Sequence, residues 1–429
     1  MYTSYQGYGE WDFRRENTKQ FTHCFHIYPA MMIPQIAREL IKLYGKSGDL
    51  LYDPYCGTGT SLVEARIAGL NAIGTDINPT ARLISESKTR DYNQVKLEQE
   101  CTAYLQRVKQ LIADVEDYSN FDEHPMISWD DLCKWFPKKT IGHLLIALNE
   151  ISNVKYKTAQ LFLKSSLSGC LRLVSYQRNG EFKLYRIAEE ERKNYYEPLF
   201  PILKSRVEKN IKGVEDFSNE TSKLTNAKIR KFNTVHTSGR SKIPGKGPSV
   251  DLVVTSPPYG DSITTVAYSQ FSWLTNIWFE LDGRSSGALD SEMMGGHRTQ
   301  INVLDFYQLL QCVPLSNAFN KIHEIDEKRA GEVMQFYYDY FLSIKNVSKE
   351  VKKGGHVCYV VGNRTVCGVH LPTDQFTAWV FENSGFKYIT TYLRDIPNKR
   401  MPSKNSPSNV AGKKVATMHK EYIVVCKKV

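Results

Sequence analysis

Hydrophobic positions near the start of the chain change from helical to strand spacing and back. Apolar side chains recur every three to four residues over 33–44, which predicts an amphipathic helix. A short apolar run over 49–53 predicts a buried strand, a helical pattern covers 61–68, and 71–76 predicts a second strand. Strand, glycine-rich turn, helix and strand in close succession make a βαβ unit, the start of a parallel α/β sheet.

The middle of the chain has a different pattern. From about 79 to 226 strand signals are sparse, and the runs 94–115 and 141–173 carry helical periodicity, so a mostly helical insertion is predicted, too long for an ordinary loop. The second half returns to short apolar runs, with an irregular insertion at 281–328. The further strands predicted are 231–236, 250–255, 356–361, 388–392 and 421–426, and the further helices are 333–352 and 375–383.

Composition excludes several classes of protein. The 429 residues are 41% hydrophobic and 24% charged, as in soluble globular proteins, which excludes a disordered or collagen-like chain. No apolar run approaches the roughly 20 residues of a membrane-spanning helix, and the polar start has no signal-peptide core. Nine cysteines without a Cys-x-x-Cys pair indicate neither a disulfide framework nor a zinc ribbon. We therefore expect a cytoplasmic protein without a metal site or a membrane partner.

The positive charge is concentrated in two stretches. The net charge is +10, yet 221–250 holds seven lysines and arginines and 397–420 holds six, both without an acid. A polyanionic partner explains such stretches, and the alternative is a pair of solvated loops. With one arginine from the 281–328 insertion, the predicted nucleic-acid contacts are Arg240, Lys242, Lys246, Arg298, Lys399, Arg400 and Lys404.

The turn after the first predicted strand reads Asp-Pro-Tyr-Cys-Gly-Thr-Gly-Thr over 53–60. Glycine after a strand lets the backbone turn tightly and approach a ligand, and such sheets bind ligands outside the carboxyl ends of their strands. A dinucleotide fingerprint would continue with glycine or alanine where Leu62 stands, which counts against NAD. Asp76, ending the second strand, is placed to bind two ribose hydroxyls. The alternative is a tight turn with an incidental acid.

A second motif, Thr-Ser-Pro-Pro-Tyr over 255–259, follows an apolar strand directly. Two consecutive prolines fix the backbone and end strand pairing, so the chain leaves the sheet rigidly. A rigid exit holds a hydroxyl, a carbonyl and an aromatic ring in fixed geometry. Such a set suits an exocyclic amine on a flat base, because oxygen acceptors orient its hydrogens while the ring stacks on the base. A simple proline turn is the alternative.

These motifs together resemble the S-adenosylmethionine-dependent DNA methyltransferases that modify exocyclic amino groups, the N4-cytosine and N6-adenine class. The resemblance rests on 53–60, on Gly-Thr-Asp-Ile-Asn-Pro over 74–79, on 255–259 and on His-Cys-Phe-His-Ile-Tyr-Pro over 23–29. It implies a Rossmann-like α/β fold with a mostly parallel sheet flanked by helices, to which the periodicity described above adds a large, mostly helical insertion. We expect a division into 1–90 with the cofactor loop, 91–228 as a candidate target-recognition domain because of its position in the chain, and 229–429 with the catalytic motif and the smaller insertion. The smaller insertion, 281–328, is the alternative segment for recognition of DNA.

The resemblance also implies roles for single residues. S-adenosylmethionine is the implied cofactor, with Asp53 at its amino group, Asp76 at its ribose and Ile77 at its adenine. Ser238 is a substitute for the acidic residue that usually follows the third strand. The remaining implied cofactor residues are His26, Tyr28, Pro29, Tyr55, Gly57, Gly59 and Thr60. The implied catalytic residues are Ser256, Pro257, Pro258 and Tyr259, where Ser256 and the Pro257 carbonyl hold the target amine and Tyr259 stacks on a base flipped out of duplex DNA.

Serine before Pro-Pro-Tyr favours cytosine N4 over adenine N6, by analogy within the family. The chain is then expected to be a site-specific enzyme of a restriction–modification system, with double-stranded DNA and a cognate restriction endonuclease as partners. The alternatives left open are adenine N6 methylation, methylation of an RNA base including guanine N2, and a catalytically dead DNA-binding scaffold.

Overall fold

The computed structural model describes residues 5–7, 9–115, 124–178, 180, 182–236, 249–261, 265–296, 301–396, 404–405, 415–416 and 418–429. The strands are β1 Tyr5–Gln6, β2 Leu50–Asp53, β3 Asn71–Thr75, β4 Ala227–Arg230, β5 Val250–Thr255, β6 Val351–Val361, β7 Thr365–Val366, β8 Val369–His370, β9 Phe386–Asp395, β10 Lys404–Asn405, β11 Val415–Ala416 and β12 Lys420–Lys428.

A 3₁₀ helix covers Phe21–Cys24, and fifteen α-helices are found in the described ranges. They are α1 Pro34–Tyr44, α2 Thr60–Ile67, α3 Pro79–Thr89, α4 Gln94–Asp114, α5 Trp129–Cys133, α6 Lys138–Ser152, α7 Lys157–Leu171, α8 Glu189–Arg192, α9 Leu199–Glu220, α10 Tyr268–Trp278, α11 Ala288–Glu292, α12 Val303–Leu310, α13 Val313–Ile325, α14 Glu327–Glu350 and α15 Thr373–Glu382.

Eight strands form one sheet in the order β1-β9-β12-β6-β5-β2-β3-β4. All neighbouring pairs are parallel except those of β12, which runs antiparallel to both β6 and β9. From β2 the chain proceeds outward to β3 and β4, and then crosses back to place β5 on the other side of β2. The strand order therefore reverses between β2 and β5, which is where doubly wound sheets bind their ligands.

Helices cover both faces of the sheet, and the alternation along β5 shows how. Leu252 and Val254 pack in one hydrophobic cluster with residues of α1 and α2, whereas Val253 packs in another with residues of α14 and α15. A strand buried on both faces reads as a continuous apolar run, which is why the Val250–Thr255 strand is visible in the sequence. This result confirms the predicted α/β class.

The helical insertion shares its core with the rest of the chain. Apolar residues of α4, α5, α6, α7 and α9 form one cluster, which Phe25 and the α10 residues Leu274, Ile277 and Trp278 complete. The insertion is therefore packed against the C-terminal part of the chain, and its helices are fixed relative to α10. None of the helices in the described ranges is long and apolar enough to cross a membrane.

Two element predictions are wrong. The third strand is Ala227–Arg230 instead of 231–236, because Asn233 accepts a hydrogen bond from the Val235 amide (3.0 Å) and turns the chain there. The insertion at 281–328 is largely helical instead of irregular, whereas the predicted helical run 141–173 is confirmed as the two helices α6 and α7. Strand β1 and the β7–β8 hairpin lacked a sequence signal, since two-residue strands carry no periodicity.

Candidate active site

A cavity opens at the carboxyl ends of β2, β3, β4 and β5, and its empty space, including the part that is open to solvent, is about 910 Å³. It brings together ten of the residues predicted from the sequence, which are Tyr28, Pro29, Asp53, Tyr55, Gly57, Thr60, Asp76, Ile77, Ser256 and Pro258. The two sequence motifs therefore lie on one cavity although they are far apart in the chain. That adjacency, on which the sequence prediction depended, is confirmed.

Asp53 joins the two motifs. Its Oδ1 accepts hydrogen bonds from the Thr255 hydroxyl (2.6 Å) and the Tyr55 amide (3.0 Å), and its Oδ2 accepts one from the Ser61 hydroxyl. Burial, with a smaller contribution from the charge of Asp76 nearby, raises the pKa of Asp53 to about 6 against the effect of these three donors. A carboxylate offers about four acceptor positions, so roughly one remains for a donor in the cavity.

Of the two glycines in the turn after β2, Gly57 lines the cavity and Gly59 does not. Gly57 has a φ of +48°, and no atom lies within 4 Å of where its Cβ would stand, so its backbone faces open space in the cavity. Gly59 has a φ of +80°, begins α2 and does not line the cavity. A Cβ on Gly59 would collide with Ser85 of α3, so Gly59 serves the turn and the helix packing.

Asp76 is held at the end of β3 by two backbone donors. The Gly57 amide donates to Asp76 Oδ2 (3.0 Å) and the Asn78 amide donates to Asp76 Oδ1 (2.8 Å). Burial raises the pKa of Asp76, while these amides and the charge of Arg82 act in the opposite direction. The carboxylate is therefore fixed beside the turn with both oxygens placed by main chain.

Asn78 ties this region to α10. It caps α3 by accepting from the Thr80 amide (3.1 Å), and its side-chain amide donates to the Tyr28 hydroxyl (2.8 Å) and to Ser272 Oγ (2.7 Å). The ring of Tyr28 stacks on that of Tyr268 with their centroids 6.0 Å apart, and both tyrosines line the cavity. One cavity wall thus comes from α10, through Tyr268.

The residues after the third strand also differ from prediction. Because β4 ends at Arg230, the residues that follow it into the cavity are Phe232, Asn233 and Thr234. Ser238 was chosen from the misplaced strand and lies outside the described residues. Among the residues that the structure describes, no carboxylate follows β4 at this cavity, and its wall is formed there by a phenyl ring, an amide and a hydroxyl.

The Ser-Pro-Pro-Tyr segment divides between the cavity and the neighbouring strands. Ser256 and Pro258 line the cavity, whereas Pro257 and Tyr259 do not. The Tyr259 hydroxyl donates to Glu421 Oε1 (2.9 Å) and accepts a hydrogen bond from Ser256 Oγ (3.2 Å). Stacking of Tyr259 on a target base stays a prediction.

His26 and Cys56 are two further side chains whose protonation states bear on the chemistry of the site. His26 does not line the cavity; its Nδ1 bonds the Ile27 carbonyl (2.6 Å), and burial lowers the pKa of His26 to about 3, so the ring is neutral. Cys56 does line the cavity, and burial raises the pKa of its thiol well above the ordinary value. A protonated thiol is a poor nucleophile, which agrees with a packing role for Cys56 in the loop.

Most predicted DNA contacts lie outside the described residues, namely Arg240, Lys242, Lys246, Arg298, Lys399 and Arg400, and for Lys404 only the backbone, in β10, is described. Four other bases of the first basic stretch are described. Lys228 and Arg230 are exposed on β4, the edge strand, and Lys223 and Lys231 flank it. Charges on an edge strand also oppose pairing with another chain, so these bases have a structural role as well.

Sequence reasoning missed the apolar lining of the cavity. Four methionines contribute to it, Met31 and Met32 before α1 and Met293 and Met294 after α11. No local pattern marks such residues, because they reach the site from segments that are distant in the sequence. The other missed lining residues outside the strand ends are Ala30, Pro54, Cys56, Thr58 and Tyr268. Of these, Pro54, Cys56 and Thr58 lie within the quoted motif 53–60, and Ala30 directly follows the motif 23–29.

Comparison with known proteins gives consistent matches. The sequence profile of a family described as DNA methylase matches residues 5–87. Over 425 residues the chain is 37% identical to the Type II methyltransferase M.MvaI of Kocuria varians, covering 97% of this chain and 93% of that protein. It is 24% identical over 425 residues to the Type II methyltransferase M.BsoBI of Geobacillus stearothermophilus, covering 88% of this chain and 81% of that protein.

A shorter similarity points to RNA enzymes. Over 52 residues the chain is 46% identical to a tRNA (guanine(10)-N2)-dimethyltransferase of Methanothermobacter thermautotrophicus, which covers 12% of this chain and 16% of that protein. The full-length similarity is therefore to Type II methyltransferases, and the similarity to the tRNA enzyme is confined to a short segment.

Proposed function

Because this chain belongs to the S-adenosylmethionine-dependent DNA amino-methyltransferases, we propose that it methylates the exocyclic N4 of cytosine at a defined site in duplex DNA, as the modifying enzyme of a restriction–modification pair. One observation carries the proposal. The hydrogen bond from Thr255 to Asp53 joins the catalytic segment to the cofactor loop, so that Ser256 lines the same cavity as Gly57 and Asp76.

The cavity lining fits S-adenosylmethionine in charge and shape. Asp53 and Asp76 supply carboxylates for a cationic ligand with ribose hydroxyls, and the backbone of Gly57 leaves open space that a side chain would fill. Ile77 and Phe232 supply apolar surface for a flat base. We propose that these residues hold the cofactor, as the resemblance implied for Asp53, Asp76 and Ile77.

S-adenosylmethionine supplies a methyl group activated by a positively charged sulfur. The protein's own contribution is orientation of the target amine, whose lone pair is otherwise conjugated into the base. Ser256 Oγ accepts one amine hydrogen and so favours a nitrogen whose lone pair is free to react. No covalent enzyme intermediate is needed for attack by nitrogen, in accord with the protonated Cys56 thiol.

The choice of cytosine N4 rests on Ser256 as the first residue of the Ser-Pro-Pro-Tyr motif, by analogy with the family. Recognition of the DNA sequence is assigned to the helical insertion, 91–228. It packs against α10, and α10 contributes Tyr268 to the cavity, so the insertion stands close to where a target base would enter.

The test is incubation with methyl-labelled S-adenosylmethionine and either plasmid DNA or transfer RNA, followed by mass spectrometry of the hydrolysed nucleosides. N4-methylcytosine from plasmid supports the proposal, and N6-methyladenine replaces it with the adenine alternative. Label in transfer RNA alone replaces it with the RNA enzyme that the short similarity indicates. Cofactor binding without transfer to either polymer leaves the DNA-binding scaffold.

Ser256→Ala is the variant that tests the proposed role of the motif. We expect its rate of methylation to fall by about 100-fold, because removal of one preorganised hydrogen-bonding group costs that much in other enzymes. Ser47→Ala is the matched control. Ser47 is exposed and lies before β2, at the amino end of that strand, whereas the cavity lies at the carboxyl ends of the strands. Full activity of Ser256→Ala would contradict the assignment.

A further inference from the structure

Four side chains form a continuous hydrogen-bonded chain that ends at the cavity. Arg394 Nη1 donates to Glu421 Oε2 (2.6 Å), Glu421 Oε1 accepts from the Tyr259 hydroxyl (2.9 Å), and that hydroxyl lies 3.2 Å from Ser256 Oγ. Only 6% of the Arg394 side chain and 15% of the Glu421 side chain are exposed. A buried chain of this kind is held in one arrangement by its charges.

The fold places these groups next to each other. Glu421 at the start of β12 lies directly opposite Arg394 at the end of β9 in the antiparallel register. Tyr259 follows β5, and it reaches β12 past the end of β6 because Gly362 stands there. A Cβ on Gly362 would lie 2.7 Å from Tyr259 Cδ2 and would also collide with Met418.

The direction of every hydrogen in this chain is determined. An arginine has only donors, and the ionised carboxylate that it pairs with has only acceptors. The Tyr259 hydroxyl must therefore donate to Glu421, and burial keeps Tyr259 protonated by raising its pKa well above the ordinary value. With its single hydrogen committed, the Tyr259 oxygen can only accept from Ser256. The Ser256 hydrogen is then directed at Tyr259, which leaves Ser256 with lone pairs alone for the cavity.

We propose that Glu421 and Arg394 are positioning residues that act through Tyr259 to make Ser256 an obligate hydrogen-bond acceptor, and that this polarity selects an amino group against a carbonyl on the target base. The inference rests on the proposed function and extends it to residues outside the recognised motifs. An exocyclic amine offers hydrogens to Ser256, whereas a keto base offers a second acceptor, which leaves both oxygens unpaired.

The test compares two duplexes that differ only at the target base. After sequencing of modified plasmid has identified the site, affinity is measured for the duplex with its natural target and for one with the keto analogue, which is uracil for cytosine or hypoxanthine for adenine. The cost of extruding each base is the same for all variants of the protein, so a change in the affinity ratio between variants reports the contact with Ser256.

Tyr259→Phe keeps the ring and removes the hydroxyl, and Glu421→Gln places a group that can donate where only an acceptor stood. In both variants the Ser256 hydrogen is free to turn to the cavity, so we expect the preference for the amine to fall by about tenfold. Methylation should also slow about tenfold with the KM for S-adenosylmethionine unchanged. Tyr44→Phe is the matched control. It removes a tyrosine hydroxyl from α1 that forms a hydrogen bond with the Tyr392 hydroxyl on β9 (2.7 Å).

An unchanged preference in Tyr259→Phe and Glu421→Gln, with wild-type protein that methylates DNA, would overturn the inference. So would an equal loss of preference in Tyr44→Phe. Absence of methyl transfer by the wild-type protein would instead overturn the proposed function, so the two failures can be told apart. Tyr259→Phe removes a single oxygen atom from the protein. Circular dichroism and titration with S-adenosylmethionine establish that this variant is folded before the ratio of its affinities for the two duplexes is measured.

Discussion

The affinity for S-adenosylmethionine should depend on pH through Asp53. Burial raises the pKa of this carboxyl to about 6, so it is mainly protonated at pH 5 and mainly ionised at pH 7. The ligand that we propose for the cavity is cationic, and it binds the ionised carboxylate in preference to the neutral acid. Affinity should therefore rise with pH over this interval, because the ligand and the proton compete for the same group.

The magnitude follows from the pKa. A group with a pKa of about 6 is ionised in roughly one molecule in eleven at pH 5 and in ten of eleven at pH 7, so the affinity should rise about tenfold. The folding stability of the protein without ligand should change with pH in the opposite direction. Since the native pKa lies above the ordinary value of an aspartate, the folded state binds more protons and stability falls as pH rises from about 4 to 6.

Isothermal titration calorimetry at pH 5, 6, 7 and 8 and constant ionic strength measures this dependence. Asp53→Asn should bind more weakly at pH 7 and show no rise between pH 5 and 7. Asp49→Asn is the matched control, since Asp49 is half-buried, precedes the same strand at its other end and does not line the cavity. A flat wild-type profile, or a rise that persists in Asp53→Asn, would refute the reasoning.

Three further predictions test the geometry. Gly57→Ala should weaken cofactor binding measured by calorimetry, because the new methyl group enters the cavity, whereas Gly59→Ala should chiefly lower the melting temperature, because its Cβ collides with α3; the reverse pattern would contradict this assignment. Thr255→Val should lower the free energy of unfolding in urea by about 1–3 kcal/mol, because it removes one donor to a buried carboxylate, and no change would exclude that bond as the link between the motifs. Gly362→Ala should reduce methylation in a folded protein, as judged by circular dichroism, because Tyr259 is displaced; normal activity would show that the tyrosine's place is not critical.

The sequence predicted those parts of the fold in which burial leaves a local pattern. The strand Val250–Thr255 is buried on both faces, and its apolar run gave its limits. The third strand was misplaced because Ala227–Arg230 is an edge strand with exposed bases, so only Ile229 contributes a strong apolar signal. Two-residue strands have too few positions for any period to appear.

The candidate site was predictable where residues follow a strand end within a motif. Asp53, Asp76 and Ser256 each stand directly after or at the end of a parallel strand, and all three line the cavity. Residues that reach the site by tertiary packing gave no such signal. Met294 and Tyr268 come from segments without a motif, and Glu421 is placed by strand register, which cannot be read along one segment.

The pairing of β2 with β5 has a consequence for synthesis of the protein. Asp53 and Thr255 are 202 residues apart in the sequence, so the bond between them closes after the whole helical insertion has left the ribosome. At a synthesis rate of 5–20 residues per second, β2 waits about 10–40 s for β5. During that time the backbone groups along one edge of β2 have no strand to pair with. Such distant parallel pairing forms slowly, and the nascent chain is therefore most vulnerable to aggregation while the insertion is being made.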